Sequence, residues 1–492
     1  MDAELELLDA SLPGTLPVYP GISLAGRYVL TDLPPAHRGD GIKVISLPHS
    51  RIALIIGDVV GAGTIAPTTM ARILTILRDR LQDGESALSA LHHADRYAES
   101  APVASGAKVA IAVISLTDGT VEYAGAGNPP PLLVGPSGVR PLSGLPSRPL
   151  GAGGQGVAGR EQLASGEILV MHSDGLLTAS GHGVGEGQKR LGHLLGSFAR
   201  PGTPVRRLET DRTDELCRQL LIEVPRGGQF IDDVALLVAE RTANPASFAD
   251  SGPATANNAA RVTARLEQWL DSIGAGLLDH LALRQAVTEI TTNVVRHAYA
   301  HAAGETGELN IRADLHDEGL LQIDVRDFGA WRESTGAPGH GLILAGGLVD
   351  SMQLDRSPDG TVVTLRQALG RPLPVLQAGQ IQLDGSSGSP VRQRPPTMDS
   401  RMAPGRLFVT GAVEDRCADE FQNRVHDLTR AGTEDAAIDL SEVTQLASSA
   451  VRILFDYMAR SRASGARLSV LAASGSIAEQ VLQLVDLPYH SV

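Results

Sequence analysis

Residues 54–63 read Leu-Ile-Ile-Gly-Asp-Val-Val-Gly-Ala-Gly, an apolar run that ends on the single carboxylate of Asp58. The run has the composition of a buried β-strand, which would deliver Asp58 to its tip. The glycines at positions 57, 61 and 63 allow the backbone to turn without Cβ clashes and to approach a ligand closely. This stretch therefore predicts a sheet whose edge carries a functional carboxylate.

Three further aspartates, Asp40, Asp174 and Asp232, lie beside similar strand-like apolar runs. An ionised carboxylate is costly to bury without a compensating cation. Carboxylates are the ligands that hard divalent ions prefer, and four of them could hold two ions about 4 Å apart with a water between them. The alternative is that each aspartate caps a helix or closes a turn. The shared flanking pattern favours the metal centre.

The totals restrict the class of protein. A chain of 492 residues predicts about three or four domains, and 42% hydrophobic residues are typical of a globular protein. A formal net charge of −14 argues against a nucleic-acid-binding protein, which needs a basic face. Two distant cysteines, the lack of a long apolar run and an acidic N-terminus together predict a cytoplasmic protein without disulfides or a membrane span.

Periodicity and composition divide the chain into three folded parts, which predicts a multidomain α/β and α+β protein. The first part alternates many strands with a few long helices, as in an α-β-β-α sandwich. The second has helices followed by strands, and the third alternates strands and helices as an α/β domain does. The expected segments are a connector helix at 1–20, the first domain at 21–242, a linker at 243–256, the second domain at 257–369, a poorly ordered linker at 370–403 and the third domain at 404–492.

Short motifs occur through the first part in one order. They are Arg38-Gly39-Asp40, Gly57-Asp58-Val59-Val60-Gly61, Gly127-Asn128-Pro129-Pro130, His172-Ser173-Asp174-Gly175 and Asp232-Asp233-Val234. Together they resemble the motif set of the metal-dependent protein serine/threonine phosphatases, in particular the bacterial SpoIIE/RsbU type. The resemblance implies hydrolysis of phosphoserine or phosphothreonine. It implies that two Mn²⁺ or Mg²⁺ ions are held by Asp40, Asp58, Asp174 and Asp232 with the Val59 carbonyl.

The sequence departs from that motif set at four positions. Lys43 stands where the family has a second aspartate, and Ala62 and Asn128 stand where it has histidines. Thr178 lies near the position of an expected acidic residue. The four principal carboxylates are all present, which favours an active enzyme.

The second part contains a helical stretch on which Glu289 and Asn293 share one face, because they are four residues apart. That polar line is either a solvated face or part of a ligand site. Asp327-Phe328-Gly329 ends a predicted strand, and Gly339-His340-Gly341 precedes a predicted helix. Backbone N–H groups at a helix N-terminus hold phosphate well, so the three elements favour the ligand site.

These elements resemble the GHKL ATP-binding fold, an α/β sandwich, in the form found in serine-kinase anti-sigma factors of the SpoIIAB/RsbW type. The resemblance implies that Asn293 holds Mg²⁺ against the phosphates of ATP and that Glu289 is the general base. Asp327 would read the adenine beside Gly329. The remaining nucleotide contacts would come from Gly339, Gly341 and Thr361. Nucleotide binding without phosphate transfer is the alternative.

The third part places Ser448 and Ser449 where a helix would begin, which is also where N-cap residues occur. Residues 436–454 resemble the loop of the STAS domain of anti-sigma factor antagonists, in which a serine accepts phosphate. The resemblance implies that Ser448 is the phosphoacceptor, although Ala447 and Ala450 replace the aspartate and glycine of the motif. A docking domain that is not phosphorylated is the alternative.

The three resemblances together predict a bacterial partner-switching regulator that dephosphorylates a STAS-type anti-sigma factor antagonist. The competing interpretations are an anti-sigma scaffold with little catalysis, which sequesters a sigma factor or a STAS partner, and a small-molecule phosphatase. Expected partners are STAS-type antagonists first, then a sigma factor and a second copy of this chain. Neither nucleic acid nor a membrane is expected as a partner.

Overall fold

The structure of the chain is a computed structural model. It describes residues 12–31, 39–59, 64–142, 148–154, 156–178, 183–199, 211–226, 230–299, 307–329, 340–381, 398–413, 417–485 and 487–492. The predicted connector helix at 1–20 lies largely outside these residues, and Thr15–Pro17 within it is a strand. Within the described ranges, no helix is both long enough and apolar enough to cross a membrane.

The elements are numbered here in chain order. The strands are β1 (Thr15–Pro17), β2 (Ile22–Leu30), β3 (Gly41–Leu47), β4 (Arg51–Asp58), β5 (Lys108–Ser115), β6 (Thr120–Ala126), β7 (Leu132–Gly135), β8 (Gly138–Pro141), β9 (Val157–Gln162), β10 (Ile168–His172), β11 (Val234–Arg241), β12 (Phe248–Pro253), β13 (Glu308–Leu315), β14 (Leu320–Asp327), β15 (Ser351–Ser357), β16 (Gly360–Ala368), β17 (Gly370–Pro372), β18 (Val375–Gln377), β19 (Asp399–Ala403), β20 (Arg406–Val413), β21 (Ala436–Leu446), β22 (Leu468–Ala472) and β23 (His490–Ser491). The helices are α1 (Ile65–Gln82), α2 (Ala87–Ser100), α3 (Val184–Phe198), α4 (Arg212–Glu223), α5 (Ala256–Ser272), α6 (Leu277–Asn293), α7 (His340–Gly347), α8 (Ala378–Ile381), α9 (Ala418–Thr429), α10 (Ser448–Ala463) and α11 (Ile477–Leu484).

The chain forms two compact units. The first contains Met1–Pro245, His316–Gly319 and Gly370–Val391, and the second contains Ala246–Leu315, Leu320–Leu369 and Arg392–Val492. The parts predicted as second and third domains therefore lie in one unit.

The first unit is an α-β-β-α sandwich, as predicted. One sheet has the strand order β18-β2-β11-β10-β7-β8 and the other β3-β4-β5-β6-β9. Strand β4 is buried on both faces, which explains why its sequence is apolar without alternation. Leu54 and Ile56 face the core between the sheets, whereas Ala53 and Ile55 pack under α1 and α2. Helices α3 and α4 cover the outer face of the other sheet, where Leu195 and other apolar residues pack against β2, β10 and β11.

The segment after the second predicted domain completes this sandwich. The composition of 370–403 predicts a poorly ordered linker, whereas β17 pairs antiparallel with β1 and β18 pairs in parallel with β2. Leu373 is buried in the core between the sheets. Arg371 forms an ion pair with Asp211 at the start of α4. Burial opposes ionisation of Asp211, but the charge of Arg371 and hydrogen bonds from Ser23 and Thr213 together outweigh burial and lower the pKa of that carboxyl.

Leu373→Ala tests the structural role of this segment. We expect it to lower the free energy of unfolding of the first unit by about 2–5 kcal/mol, because it leaves a cavity between the two sheets. Val375→Ala is the matched control, since Val375 is 47% exposed, and we expect a change within about 0.5 kcal/mol. Denaturant unfolding of both variants measures the difference. Equal stabilities would contradict the placement of residues 370–377 in this core.

The second unit contains two sheets. The first has the order β12-β13-β14-β16-β15 and is antiparallel throughout, with buried residues alternating along β13 and β14. Helices α5 and α6 contribute buried side chains to the same part of the unit as this sheet. The second sheet has the order β19-β20-β21-β22-β23, and it is parallel except at β19. Ala282 of α6 and Leu344 of α7 belong to the apolar cluster of this second sheet, so α6 and α7 contact its core.

Candidate metal centre and nucleotide site

The four predicted carboxylates sit at the ends of strands from both sheets of the sandwich. Asp40 directly precedes β3, and Asp58 is the last residue of β4. Asp174 opens a 3₁₀ turn after β10, and Asp232 lies two residues before β11. The backbone N–H of Ala235 on β11 donates a hydrogen bond of 3.0 Å to Asp40 Oδ2, which ties the two strand ends together across the sandwich.

Lys108 joins two of these carboxylates. It is the first residue of β5 and lies opposite Asp58 in the antiparallel pair β4–β5. Its Nζ donates to Asp58 Oδ2 at 2.8 Å and to Asp174 Oδ2 at 2.7 Å. Burial lowers the pKa of the Lys108 ammonium, but the hydrogen bonds to Asp174 and Asp58 and the charges of these two carboxylates together outweigh burial and raise it above its ordinary value. The group is therefore a charged cation between two carboxylates from different sheets.

Asp40 lies deeper than the other aspartates. It is 2% exposed, and burial raises the pKa of its carboxyl well above the usual range. The negative charge of Asp58 raises that pKa further, a hydrogen bond from Ser173 lowers it, and the charges of Asp233 and Asp232 raise it. Asp58 and Asp232 therefore lie close enough to Asp40 to repel its charge, and such repulsion is the condition that a divalent cation relieves.

Tyr28 and Asp233 hold this end of the sandwich in place. The Tyr28 hydroxyl donates to Asp233 Oδ2 at 3.0 Å, and the backbone N–H of Thr31 donates to Asp233 Oδ1 at 2.8 Å. Both Tyr28 and Asp233 are almost fully buried. Because β18 pairs with β2 at Tyr28, the added strand also supports this network.

Two glycines of the motifs are required by close approach of the backbone. A Cβ on Gly39 would lie 1.9 Å from the Val59 carbonyl oxygen, and a Cβ on Gly175 would lie 1.9 Å from the Asp233 carbonyl oxygen. The first contact brings Asp40 beside the end of β4, where Val59 N–H donates to the Gly39 carbonyl at 3.0 Å. The second brings the Asp174 turn against the Asp232-Asp233 loop. Glycine is needed at both positions because any other residue would separate the loops.

The donor set fits a divalent metal ion in part. Carboxylate oxygens of Asp58 and Asp174 already converge on one cation, the ammonium of Lys108, and oxygen donors of this kind suit Mg²⁺ and Mn²⁺. Among the described residues, however, no three carboxylate, imidazole or thiolate side chains surround one point closely enough to hold an ion. Asp40 is an electrostatic neighbour of both Asp58 and Asp232, but neither Asp40 nor Asp232 belongs to the pair around Lys108.

Two of the four departures from the motif set have visible contacts. The Asn128 amide donates to the His172 carbonyl at 3.1 Å, so it supports the end of β10 just before Asp174. The Thr178 hydroxyl donates to the Asp174 and Gly175 carbonyls at 3.4 and 3.3 Å and thereby closes the 3₁₀ turn. Lys43 lies on β3 opposite Ile55, and Ala62 is outside the described residues.

The predicted nucleotide residues lie in two groups. In the first, Glu289 and Asn293 on α6 face the first turn of α7. A Cβ on Gly341 would lie 2.6 Å from Glu289 Oε2 and 3.5 Å from Asn293 Nδ2. Gln285 Nε2 donates to Glu289 Oε1 at 3.0 Å, which fixes the carboxylate of Glu289, only 5% exposed. The predicted Gly339 lies outside the described residues.

The second group surrounds Asp327 at the end of β14. The backbone N–H of Gly329 donates to Asp327 Oδ1 at 2.9 Å, and Thr361 lies opposite Asp327 in the pair β14–β16. Burial raises the pKa of Asp327, while hydrogen bonds from Gly329 and Thr361 lower it. A Cβ on Gly329 would lie 2.2 Å from the Ala298 carbonyl oxygen, so this loop rests on the π-helical turn Val294–Ala298 that follows α6.

The predicted phosphoacceptor region opens helix α10. Ser448 is the first helical residue, and Ala447 occupies the N-cap position, so neither predicted serine is the N-cap. Arg284 of α6 donates to the Thr444 carbonyl on β21 at 3.4 Å. The end of β21, which precedes Ser448, therefore lies beside the helix that carries Glu289.

Sequence reasoning did not identify Lys108, Tyr28 or Gln285 as site residues. Tyr28 and Lys108 belong to none of the quoted motifs, and their partners are distant in the chain. Gln285 carried a usable signal, because it precedes Glu289 by four residues on the same helical face.

A sandwich with carboxylates at the ends of its strands, followed by an antiparallel sheet with a polar helical face, defines the class: a phosphatase-like domain joined to an ATPase-like domain. The family profile "Stage II sporulation protein E (SpoIIE)" matches residues 48–242, and "Histidine kinase-like ATPase domain" matches residues 252–367. The solved structure of the RsbU and RsbW domains of Rv1364c from Mycobacterium tuberculosis is 30% identical, covers 74% of this chain and 99% of that chain, and has a TM-score of 0.63. The chain belongs to this family of fused RsbU-type phosphatase and RsbW-type domains.

Two other solved structures match the phosphatase part. The PP2C phosphatase domain of SpoIIE from Bacillus subtilis, with a fragment of its regulatory domain, is 20% identical, covers 46% of this chain and 66% of that chain, and has a TM-score of 0.38. The catalytic domain of the serine/threonine phosphatase PstP in complex with two manganese ions is 16% identical, covers 45% of this chain and 98% of that chain, and has a TM-score of 0.33.

Proposed function

We propose that the first unit is a Mn²⁺- or Mg²⁺-dependent phosphatase for phosphoserine and phosphothreonine in proteins. The observation that carries this proposal is the pair Asp58 and Asp174, whose carboxylates come from different sheets and converge on one cation. Asp40 and Asp232 supply further negative charge nearby. Val59, which follows Asp58, offers a backbone carbonyl. These residues would hold the ions, which when bound supply positive charge for the phosphoryl oxygens and activate water.

The protein's own contribution to this reaction is position and charge. The β4 and β10 strands fix Asp58 and Asp174, and Asp40 is held by the N–H of Ala235. Rigid strand ends keep such ligands in place with little reorganisation during the reaction. We propose that the substrate is a phosphorylated STAS-type anti-sigma factor antagonist, because an RsbW-type domain follows in the same chain.

The second unit supports a second proposal: residues 257–369 bind ATP with Mg²⁺, and residues 404–492 form a STAS domain with Ser448 as phosphoacceptor. The carrying observation is the position of Gly341 against Glu289 and Asn293. The proximity of α6 to β21 supports transfer to Ser448 within the chain. The proposed phosphatase domain spans residues 21–242, and residues 370–377, which pair with its strands, belong to its sandwich instead of a linker.

Metal removal tests the phosphatase proposal. We expect the purified chain to release phosphate from a phosphoserine-containing STAS protein with Mn²⁺ present, and to lose at least about 100-fold of that rate in EDTA, because four carboxylates alone repel a phosphoryl group. Restoring Mn²⁺ should restore the rate. A rate that is the same with EDTA and with Mn²⁺ would overturn the metal assignment, and absence of any phosphate release would favour a non-catalytic anti-sigma scaffold.

A further inference from the structure

Lys108 lies in the proposed metal centre, although the proposed phosphatase reaction gives it no role. Its ammonium lies within 2.8 Å of one oxygen of Asp58 and one oxygen of Asp174. An ion shared by those two carboxylates would bind the same oxygens at about 2.0–2.6 Å, so it would occupy nearly the same volume as the ammonium. The two cations cannot be held there together, because like charges at such short range repel strongly.

An ordinary stabilising salt bridge is the simpler interpretation of this contact, but its location favours an additional role in the charge balance of the metal centre. The bridge does not join two surface residues, since the Asp58 side chain is 10% exposed and that of Lys108 is 21% exposed. It also connects strand ends from both sheets, at the point where the charges of Asp58 and Asp232 repel that of Asp40. Lys108 therefore neutralises part of the charge that a metal ion would otherwise neutralise.

The side chain of Lys108 has a way out of the centre. Lys108 begins β5, so its backbone is fixed by the pairing with Asp58, while four methylene groups separate the backbone from the ammonium. The 21% exposure of the side chain gives the ammonium a path to water. A flexible stem on a fixed strand allows release of the carboxylates without moving the sheet.

We propose that Lys108 is a resident cation that competes with a divalent ion for the Asp58–Asp174 pair, so that an ion binds there only when the ammonium leaves. This inference rests on the proposed metal centre and adds a residue that sets its metal affinity. Without metal, Lys108 holds the two sheets together at this edge. With metal, the ion replaces that contact and the ammonium moves to solvent.

Metal binding by charge variants tests the competition. We expect Lys108→Met to bind Mn²⁺ at least about tenfold more tightly than the wild type in calorimetric titrations, since the competing charge is gone while the stem is kept. Lys108→Arg keeps the charge and should bind no more tightly than the wild type. Lys189→Met is the control, because Lys189 is exposed on α3, and it should titrate like the wild type. Equal Mn²⁺ affinity and stoichiometry in Lys108→Met and wild type would overturn the inference.

A second test uses the wild-type protein, so its result does not depend on whether a variant folds. We expect acetylation of Lys108 by an amine-reactive reagent, measured by mass spectrometry, to rise severalfold when saturating Mn²⁺ is added, whereas Lys189 should be labelled equally in both conditions. Unchanged labelling of Lys108 would overturn the inference.

Asp58→Asn separates failure of this inference from failure of the metal centre. If Mn²⁺ binding depends on Asp58 but not on Lys108, the centre stands and the competition does not. If neither the wild type nor any variant binds Mn²⁺, both are wrong.

Discussion

Asp174→Asn is expected to lower the rate of phosphate release by at least about 100-fold at moderate Mn²⁺, because loss of an outer partner of a metal ligand already costs about 10–100-fold. Asparagine keeps the volume of the side chain but removes the negative charge that converges with Asp58 on a cation. The fold should persist, since the Asp174 side chain is 36% exposed and Lys108 can still pair with Asp58. Initial rates on a phosphoserine protein across a series of Mn²⁺ concentrations measure the effect.

The matched control for this variant is Asp79→Asn. Asp79 is 55% exposed on α1 and pairs with its neighbour Arg78, so its loss should change the rate by less than about twofold. Asp58→Asn should resemble Asp174→Asn, because both carboxylates bind the same cation. Wild-type rates in Asp58→Asn and Asp174→Asn at every Mn²⁺ concentration would sink the assignment of the centre, whatever the rate of the control.

Local pattern was enough to locate the aspartates. An apolar run that ends on Asp58 between glycines indicates a strand tip from the sequence alone, and the structure places Asp58 at the end of β4. The same reasoning located Asp174 beside β10. Both signals lie within about ten residues of the carboxylate, which is the range over which periodicity and turn residues carry information.

Pairing between distant strands was not accessible in this way. Lys108 meets Asp58 across fifty positions, through the register of β4 with β5, and no local pattern specifies that register. The strands at residues 370–377 were not predicted for a related reason. Leu373 lies in a short segment interrupted by proline and glycine that has no clear periodicity, and only its burial between two sheets built from residues far away in the chain gives it a structural role.

Replacing Asn293 and Glu289 separately should divide nucleotide binding from phosphate transfer. Asn293→Ala removes the amide that faces Gly341 at the start of α7, and we expect Mg²⁺-dependent affinity for a fluorescent ATP analogue to fall by at least about tenfold, as for other losses in a metal's ligand shell. Glu289→Gln keeps the shape of the side chain and can still meet Gln285, so affinity should stay within about threefold of the wild type. Transfer should fall by about 10²–10⁴-fold, because an amide cannot accept the proton of the attacking hydroxyl.

The identity of the phosphoacceptor decides how the results for these variants are interpreted. Mass spectrometry after incubation with Mg-ATP would locate phosphate on Ser448 in the wild type and not in Ser448→Ala, while Asn257→Ala, exposed on α5, serves as the control for binding. If Glu289→Gln weakens ATP as much as Asn293→Ala does, Glu289 binds the nucleotide and is not the base. If the wild type binds ATP but phosphorylates neither Ser448 nor a separate STAS protein, the second unit is a nucleotide-dependent binding module. The burial of Glu289 beneath Gly341 and Gln285 would then hold α6 against α7 instead of activating a hydroxyl, since a carboxylate at this depth can serve either purpose.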